Sequence, residues 1–168
     1  MRLRYVIPVL VALAASRVSA DEPKAFNPAD YPGEVQKALH YADEECESQG
    51  GGAVSFAPDT VRKIDLTGDG RDDYIVDFRD IRCEGHESAY CGTGGCVMDI
   101  LVTLPAGGVR RVFDGYVRNY EIKAMPMKRG AVRTVRFELH GGYCGGHGSP
   151  SCFKEKGITA TPFAFKMP

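Results

Sequence analysis

Hydrophobic positions change their spacing once along this chain, and the change divides it in two. From Gly33 to about Gln49, Val35, Ala38, Leu39, Ala42 and Cys46 recur every three or four residues, with Glu34, Lys37, Asp43, Glu44 and Glu47 between them. That spacing predicts one amphipathic helix, and Gly50, Gly51 and Gly52 end it. Beyond the glycines come short runs rich in β-branched and aromatic residues: 54–56, 61–66, 74–78, 97–104, 109–113, 116–123, 132–139 and 159–165, divided by Gly, Pro and Asp. Such runs predict strands, and several in series predict an antiparallel sheet. In the run 97–104, Met98, Ile100, Val102 and Leu104 alternate with Asp99 and Thr103, and 105–108 supplies a hairpin connection. The predicted fold class is α+β: an N-terminal helix packed on a twisted antiparallel β-sheet, with disulfide-stapled loops.

The first residues follow neither pattern. Arg2 and Arg4 precede an apolar run from Tyr5 to Ala15, and Val18, Ser19 and Ala20 are small residues ahead of Asp21. This is the arrangement of a signal peptide over 1–20, leaving a single α+β domain over 21–168. The apolar run is shorter than the ~20 residues that a membrane span requires, and no second one occurs, so no membrane span is expected after cleavage. The expected localisation is periplasmic or secreted. Cleavage would leave 18 of the 21 lysines and arginines against 22 acidic residues, a formal charge of −4. A mildly acidic domain lacks the field that backbone phosphates require, which argues against a nucleic-acid partner. The arginines at 110, 111, 118, 129, 133 and 136 read as solvated strand edges.

All six cysteines follow the leader: Cys46, Cys83, Cys91, Cys96, Cys144 and Cys152. An even number in an exported chain implies disulfides. Fifteen pairings are possible. Cys91 with Cys96, and Cys144 with Cys152, would each close a glycine-rich loop and leave Cys46 for Cys83.

The most specific motif is Asp65-Leu-Thr-Gly-Asp-Gly-Arg-Asp-Asp73. Asp65, Thr67, Asp69, the carbonyl of Arg71 and the carboxylate of Asp73 stand at the first, third, fifth, seventh and ninth positions of an oxygen-coordinating Ca2+ loop, with Gly70 at the sharp turn. Four carboxylates within nine residues repel unless a cation or other donors balance them. The plain alternative is an Asp-Gly hairpin turn. The motif with its following strand resembles the calcium loop of FG-GAP and VCBS repeats, which implies a loop set between two strands and a structural ion. It departs from that pattern at Thr67, where Asn or Asp is usual.

Other constellations are less specific. His140, Cys144, His147 and Cys152 have the donor atoms for zinc, but export favours pairing the two cysteines with each other. The glycines between Cys91 and Cys96 would let amides approach an anion only if a helix followed, and a strand-like run follows instead. His140 or His147 with Asp99, Asp114 or Glu138, and Ser149 or Ser151 as nucleophile, would make a small secreted hydrolase, although no motif links them. Taken together, the leader, helix, acidic loop and two glycine-rich cysteine loops resemble small uncharacterised exported proteins of Gram-negative bacteria. The expectation is a non-catalytic binding module, stabilised by calcium and disulfides, for a protein or glycan partner in the envelope. Tyr90, Tyr143 and His147 are its contact candidates. The alternatives are the hydrolase and an envelope structural protein.

Overall fold

The computed structural model describes residues 25–127, 130–146 and 150–166. The expected leader, His147 and Ser149 lie outside the described residues. The fold is mixed α+β. Helix α1 (Gly33–Ser48) is followed by β1 (Val54–Phe56), β2 (Val61–Ile64), β3 (Asp73–Asp77), β4 (Ile81–Cys83), β5 (Cys91–Gly92), β6 (Gly95–Thr103), β7 (Val109–Val117), β8 (Asn119–Met127), β9 (Gly130–His140) and β10 (Ser151–Gly157). Every pairing among the described strands is antiparallel. One sheet runs β2-β3-β6-β5 with β7 also on β6, a second runs β10-β9-β8, and β1 pairs with β4.

All five apolar helix positions are buried, each 0–1 % exposed. They share a cluster with Val61, Tyr74, Val76, Phe78 and Leu101. Ile75, Met98, Ile100 and Val102, which alternate with those strand residues, join Val135, Phe137 and Leu139 in a second cluster. Successive side chains of a strand point to opposite faces, so β3 and β6 are covered on both sides. Asp99, whose alternation with Met98 and Ile100 placed it on a polar face, is only 2 % exposed.

Two strand boundaries fall elsewhere than the hydrophobic runs predict. Asp114 and Gly115 were expected to separate two strands, yet β7 continues through them because Asp114 pairs with Asp99 and Gly115 with Met98. The break falls at Arg118, where the chain leaves the first sheet, and β8 then pairs with β9 in the second. The run 159–165 is not a strand. The last strand is the more polar β10, which exists because β9 offers a full antiparallel partner from Ser151 opposite His140 to Gly157 opposite Thr134. The segment after it crosses the second cluster in irregular backbone. Phe163 stacks on Phe113 at 5.1 Å between ring centroids, Phe165 meets Phe137 at 5.0 Å, and the Phe163 amide donates to Val112 at 2.8 Å. Pro162 brings no donor to a ladder, and aromatic burial organises this stretch instead.

A β-bulge in β7 resets which of its side chains share a face. Ile100 pairs with Phe113 and Leu101 with Arg111, which leaves Val112 without a cross-strand partner. Val112 and Phe113 both enter the second cluster. The extra residue reverses the alternation, so Arg111 comes to the same face as Asp99 and Asp114.

Candidate functional site

The acidic loop between β2 and β3 is closed by its own hydrogen bonds. Asp65 accepts from the amides of Gly68 (2.7 Å), Asp69 (3.2 Å) and Gly70 (2.9 Å). Gly70 takes φ +84°, a left-handed turn open to glycine, as the motif predicts. Asp73, fully buried, accepts from Leu66 (2.8 Å) and Thr67 (3.0 Å) through Oδ2 and from Thr103 (2.8 Å) through Oδ1. Burial raises its carboxyl pKa, and the three amide donors oppose that shift. Asp69 accepts from the Arg71 amide and pairs with the Arg71 guanidinium.

These contacts bear on the expected ion. Asp65 and Asp73 spend most of their acceptor capacity on amides, Asp69 faces Arg71, and no three acidic, His or Cys side chains group for a metal among the described residues. As arranged, these carboxylates are turned to amides and to Arg71 rather than to one common ion position. The buried Thr67 hydroxyl points the other way: at the third position, it lies beside the Asp69 and Asp73 carboxylates without a well-formed hydrogen bond to either.

The three disulfides join Cys46 to Cys83, Cys91 to Cys96 and Cys144 to Cys152. The last removes the two thiolates that a zinc site would use. Cys46–Cys83 ties α1 to β4. The other two close the glycine-rich loops. A cleft of about 470 Å³ is lined by Ala89, by Cys91, Gly92, Thr93 and Gly94 of the first loop, by Tyr116, and by His140 and Tyr143, which lie just before the second loop. Arg118 holds one wall in place, donating to the Thr93 carbonyl at 3.2 and 2.9 Å and to Ser151 Oγ at 3.1 Å. Gly95 permits the approach: at φ +113° its added Cβ would lie 2.3 Å from the Val117 backbone. Also on the lining is His140, whose Nδ1 accepts from the Gly142 amide at 3.1 Å and caps the turn carrying Tyr143.

The contact candidates separate. Tyr143 lines the cleft. His147 falls outside the described residues. Tyr90 is a core residue, 3 % exposed, and its hydroxyl donates to the Ala42 carbonyl at 2.7 Å. Burial pushes its pKa up to about 12. Tyr116, His140 and Thr93 take the place it was expected to fill. Tyr116 alternates with buried neighbours along β7 and is 49 % exposed, and an outward aromatic on a strand is the signal that could have marked it.

A smaller pocket of about 170 Å³ adjoins the cleft, since Tyr116 lines both; its other walls are Tyr41, Val97, Asp99, Arg111, Asp114 and Gly115. Arg111 Nε is 3.4 Å from Asp99 Oδ2, and Arg111 Nη1 is 3.6 Å from Asp114 Oδ2. Burial raises the Asp99 carboxyl to about 7, with Arg111 opposing and Asp114 reinforcing. Among the described residues no hydrogen bond joins His140 to a carboxylate or to Ser151; its Nδ1 accepts from Gly142 instead.

Comparison with protein-family models, with curated proteins and with solved structures returns no match. The FG-GAP and VCBS resemblance therefore rests on the acidic loop alone. Three disulfides suit an oxidising compartment, and among the described residues no helix is long and apolar enough to cross a membrane.

Proposed function

We propose that this is a non-catalytic binding module of the periplasm or the secreted fraction, and that the cleft lined by the Cys91–Cys96 loop, Tyr116 and the His140–Tyr143 turn is its recognition surface. The observation that carries this reading is the meeting of the disulfide-closed Cys91–Cys96 loop with Tyr116 of β7 and the His140–Tyr143 turn at one cavity, which presents Tyr116, Tyr143, His140 and Thr93. The Cys91–Cys96 bridge, the Arg118 contacts and the His140 cap pre-order the lining, so little conformational entropy is lost on binding. Exposed Tyr116 and half-buried Tyr143 supply apolar area together with a polar hydroxyl, as recognition surfaces require. Immobilised protein offered envelope extracts and a glycan array is expected to retain a ligand that Tyr143→Ala and Tyr116→Ala lose by at least about tenfold, with Tm unchanged in Tyr116→Ala, whose side chain is exposed, and lowered in Tyr143→Ala, whose ring packs on the second cluster. A ligand retained equally by both variants would place binding elsewhere. Retention of nothing specific would favour the envelope structural role.

Calcium in the acidic loop is a second reading, favoured by the Thr67 hydroxyl, buried beside the Asp69 and Asp73 carboxylates without a well-formed hydrogen bond to either. Ligation would require Asp69 to exchange Arg71 for the ion, after which the ion would stabilise the fold through linkage. Calorimetric titration of the mature domain with Ca2+ is then expected to show saturable, millimolar-class binding that Asp69→Ala removes, with Tm falling on addition of EDTA. Absence of binding, with Tm indifferent to EDTA, would leave the loop a hydrogen-bonded turn.

A further inference from the structure

Asp99 is the least explained polar group in the fold. Its side chain is 3 % exposed, its Oδ1 has no hydrogen-bond partner, and its Oδ2 meets only Arg111 at 3.4 Å. A buried carboxyl left this way costs stability, and the second contact of Arg111, to Asp114 at 3.6 Å, is no tighter. Charge-assisted hydrogen bonds between such groups close to about 2.7–2.9 Å when fully formed. The three residues are thus held together but loosely engaged, and the β-bulge at Val112 is what brings Arg111 to them.

The surroundings narrow what could complete the arrangement. Tyr41 on α1 and Tyr116 on β7, 44 % and 49 % exposed, are two of the most exposed large hydrophobic side chains among the described residues, and both stand at this pocket. The pocket offers acceptors on Asp99 and Asp114, donors on Arg111, and two aromatic rings. A further cation is disfavoured, because Arg111 already supplies one between the two carboxylates. An anion would meet both carboxylates. A neutral polyol suits the groups that reach the pocket: adjacent hydroxyls donate to Asp114 or to the edge of Asp99 that lines it while accepting from the guanidinium, and the C–H face of a pyranose packs on a tyrosine ring.

We propose that the Asp99 pocket is a subsite for one pyranose ring of a neutral oligosaccharide whose remaining rings lie in the adjoining cleft across Tyr116. This rests on the cleft being the recognition surface, and it names the ligand class. Asp99 and Arg111 orient the ring through its hydroxyls, Tyr41 and Tyr116 cover its apolar face, and Tyr143 contacts the next ring.

The test is calorimetric titration of the disulfide-intact mature domain with cellotetraose, chitotetraose and maltotetraose, on wild type, Asp99→Leu, Tyr41→Ala and Tyr143→Ala. Tyr41 is exposed on the helix, so its variant folds whatever happens at Asp99, and Tm is recorded for each. Saturable binding of at least one tetrasaccharide is expected, with Kd raised about tenfold or more in Asp99→Leu and about threefold or more in Tyr41→Ala, and with Asp99→Asn keeping part of the affinity. Binding lost in Tyr143→Ala but untouched in Asp99→Leu and Tyr41→Ala would overturn the subsite and leave the cleft standing. If none of the three sugars binds wild type, the saccharide assignment falls, and retention of an envelope protein through Tyr143 and Tyr116 would still support the cleft.

Discussion

Asp73→Ala is expected to lower the free energy of unfolding by roughly 3–6 kcal/mol, measured by urea denaturation of the disulfide-intact domain. The side chain is fully buried and accepts from three amides on two segments: Leu66 and Thr67 in the acidic loop, and Thr103 at the end of β6. Truncation leaves all three donors without their partner, and each orphaned buried donor costs about 1–3 kcal/mol. The same carboxylate joins the loop to the neighbouring strand, so its loss frees both. Asp69→Ala gives the contrast. Its carboxylate and the Arg71 guanidinium are each about a third exposed, and such a pair contributes about 1 kcal/mol or less. If hydrogen bonds hold the loop, the Asp73→Ala loss is the same in EDTA as in calcium. Equal, small effects of the two variants would show that Asp73 does not organise the loop.

Asp99→Asn is expected to stabilise the protein above pH 7 and to do progressively less as the pH falls. The folded-state carboxyl titrates at about 7 against an ordinary 3.8, with burial the main cause. Between those values the native state holds a proton that the unfolded chain has released, so the Asp99 contribution to stability falls as pH rises from about 4 to about 7 and is level above. The charged groups facing it are Arg111, which favours the carboxylate, and Asp114, which opposes it. Asparagine keeps the shape without the charge. The stability difference is therefore expected to be small near pH 4 and to approach about 4 kcal/mol by pH 8, as an upper figure. Thermal unfolding of both proteins at pH 4, 5, 6, 7 and 8 measures it. A difference that does not vary with pH, or a variant less stable than wild type at pH 8, would mean that Asp99 is ionised and satisfied in the native state.

Where the chain alone was a good guide, the information was local. The helix was legible because Val35, Ala38, Leu39, Ala42 and Cys46 fall on one stripe at the helical period, and all five are buried. The turn at Gly70 was legible because an Asp-Gly pair between two apolar runs has few other uses. The short cysteine spacings pointed to the two loop-closing bridges, and the third pair followed by elimination. Where the chain misled, the deciding partner was distant. Tyr90 reads like any loop tyrosine until the Ala42 carbonyl, 48 residues earlier, is seen to accept its proton. Phe163 and Phe165 read as strand residues until Phe113 and Phe137 gather them. Asp99 reads as a solvent-facing position because alternation alone cannot show that a second layer covers the other face.

The sequence by itself therefore determined the one helix, most of the strands, the acidic turn and the loop-closing cysteine pairs, since each depends on residues within a few positions of one another and on intrinsic backbone preferences. Tertiary structure alone decided that the Cys91–Cys96 loop, Tyr116 and the His140–Tyr143 turn line one cleft, that Tyr116 joins this cleft to a second pocket, and that Asp99, Arg111 and Asp114 share a face. The last depends on a single bulged residue. One added position in a strand exchanges its two faces, and whether it is added is settled by how β7 must pair with β6 while burying both Val112 and Phe113, which no periodicity along the chain expresses.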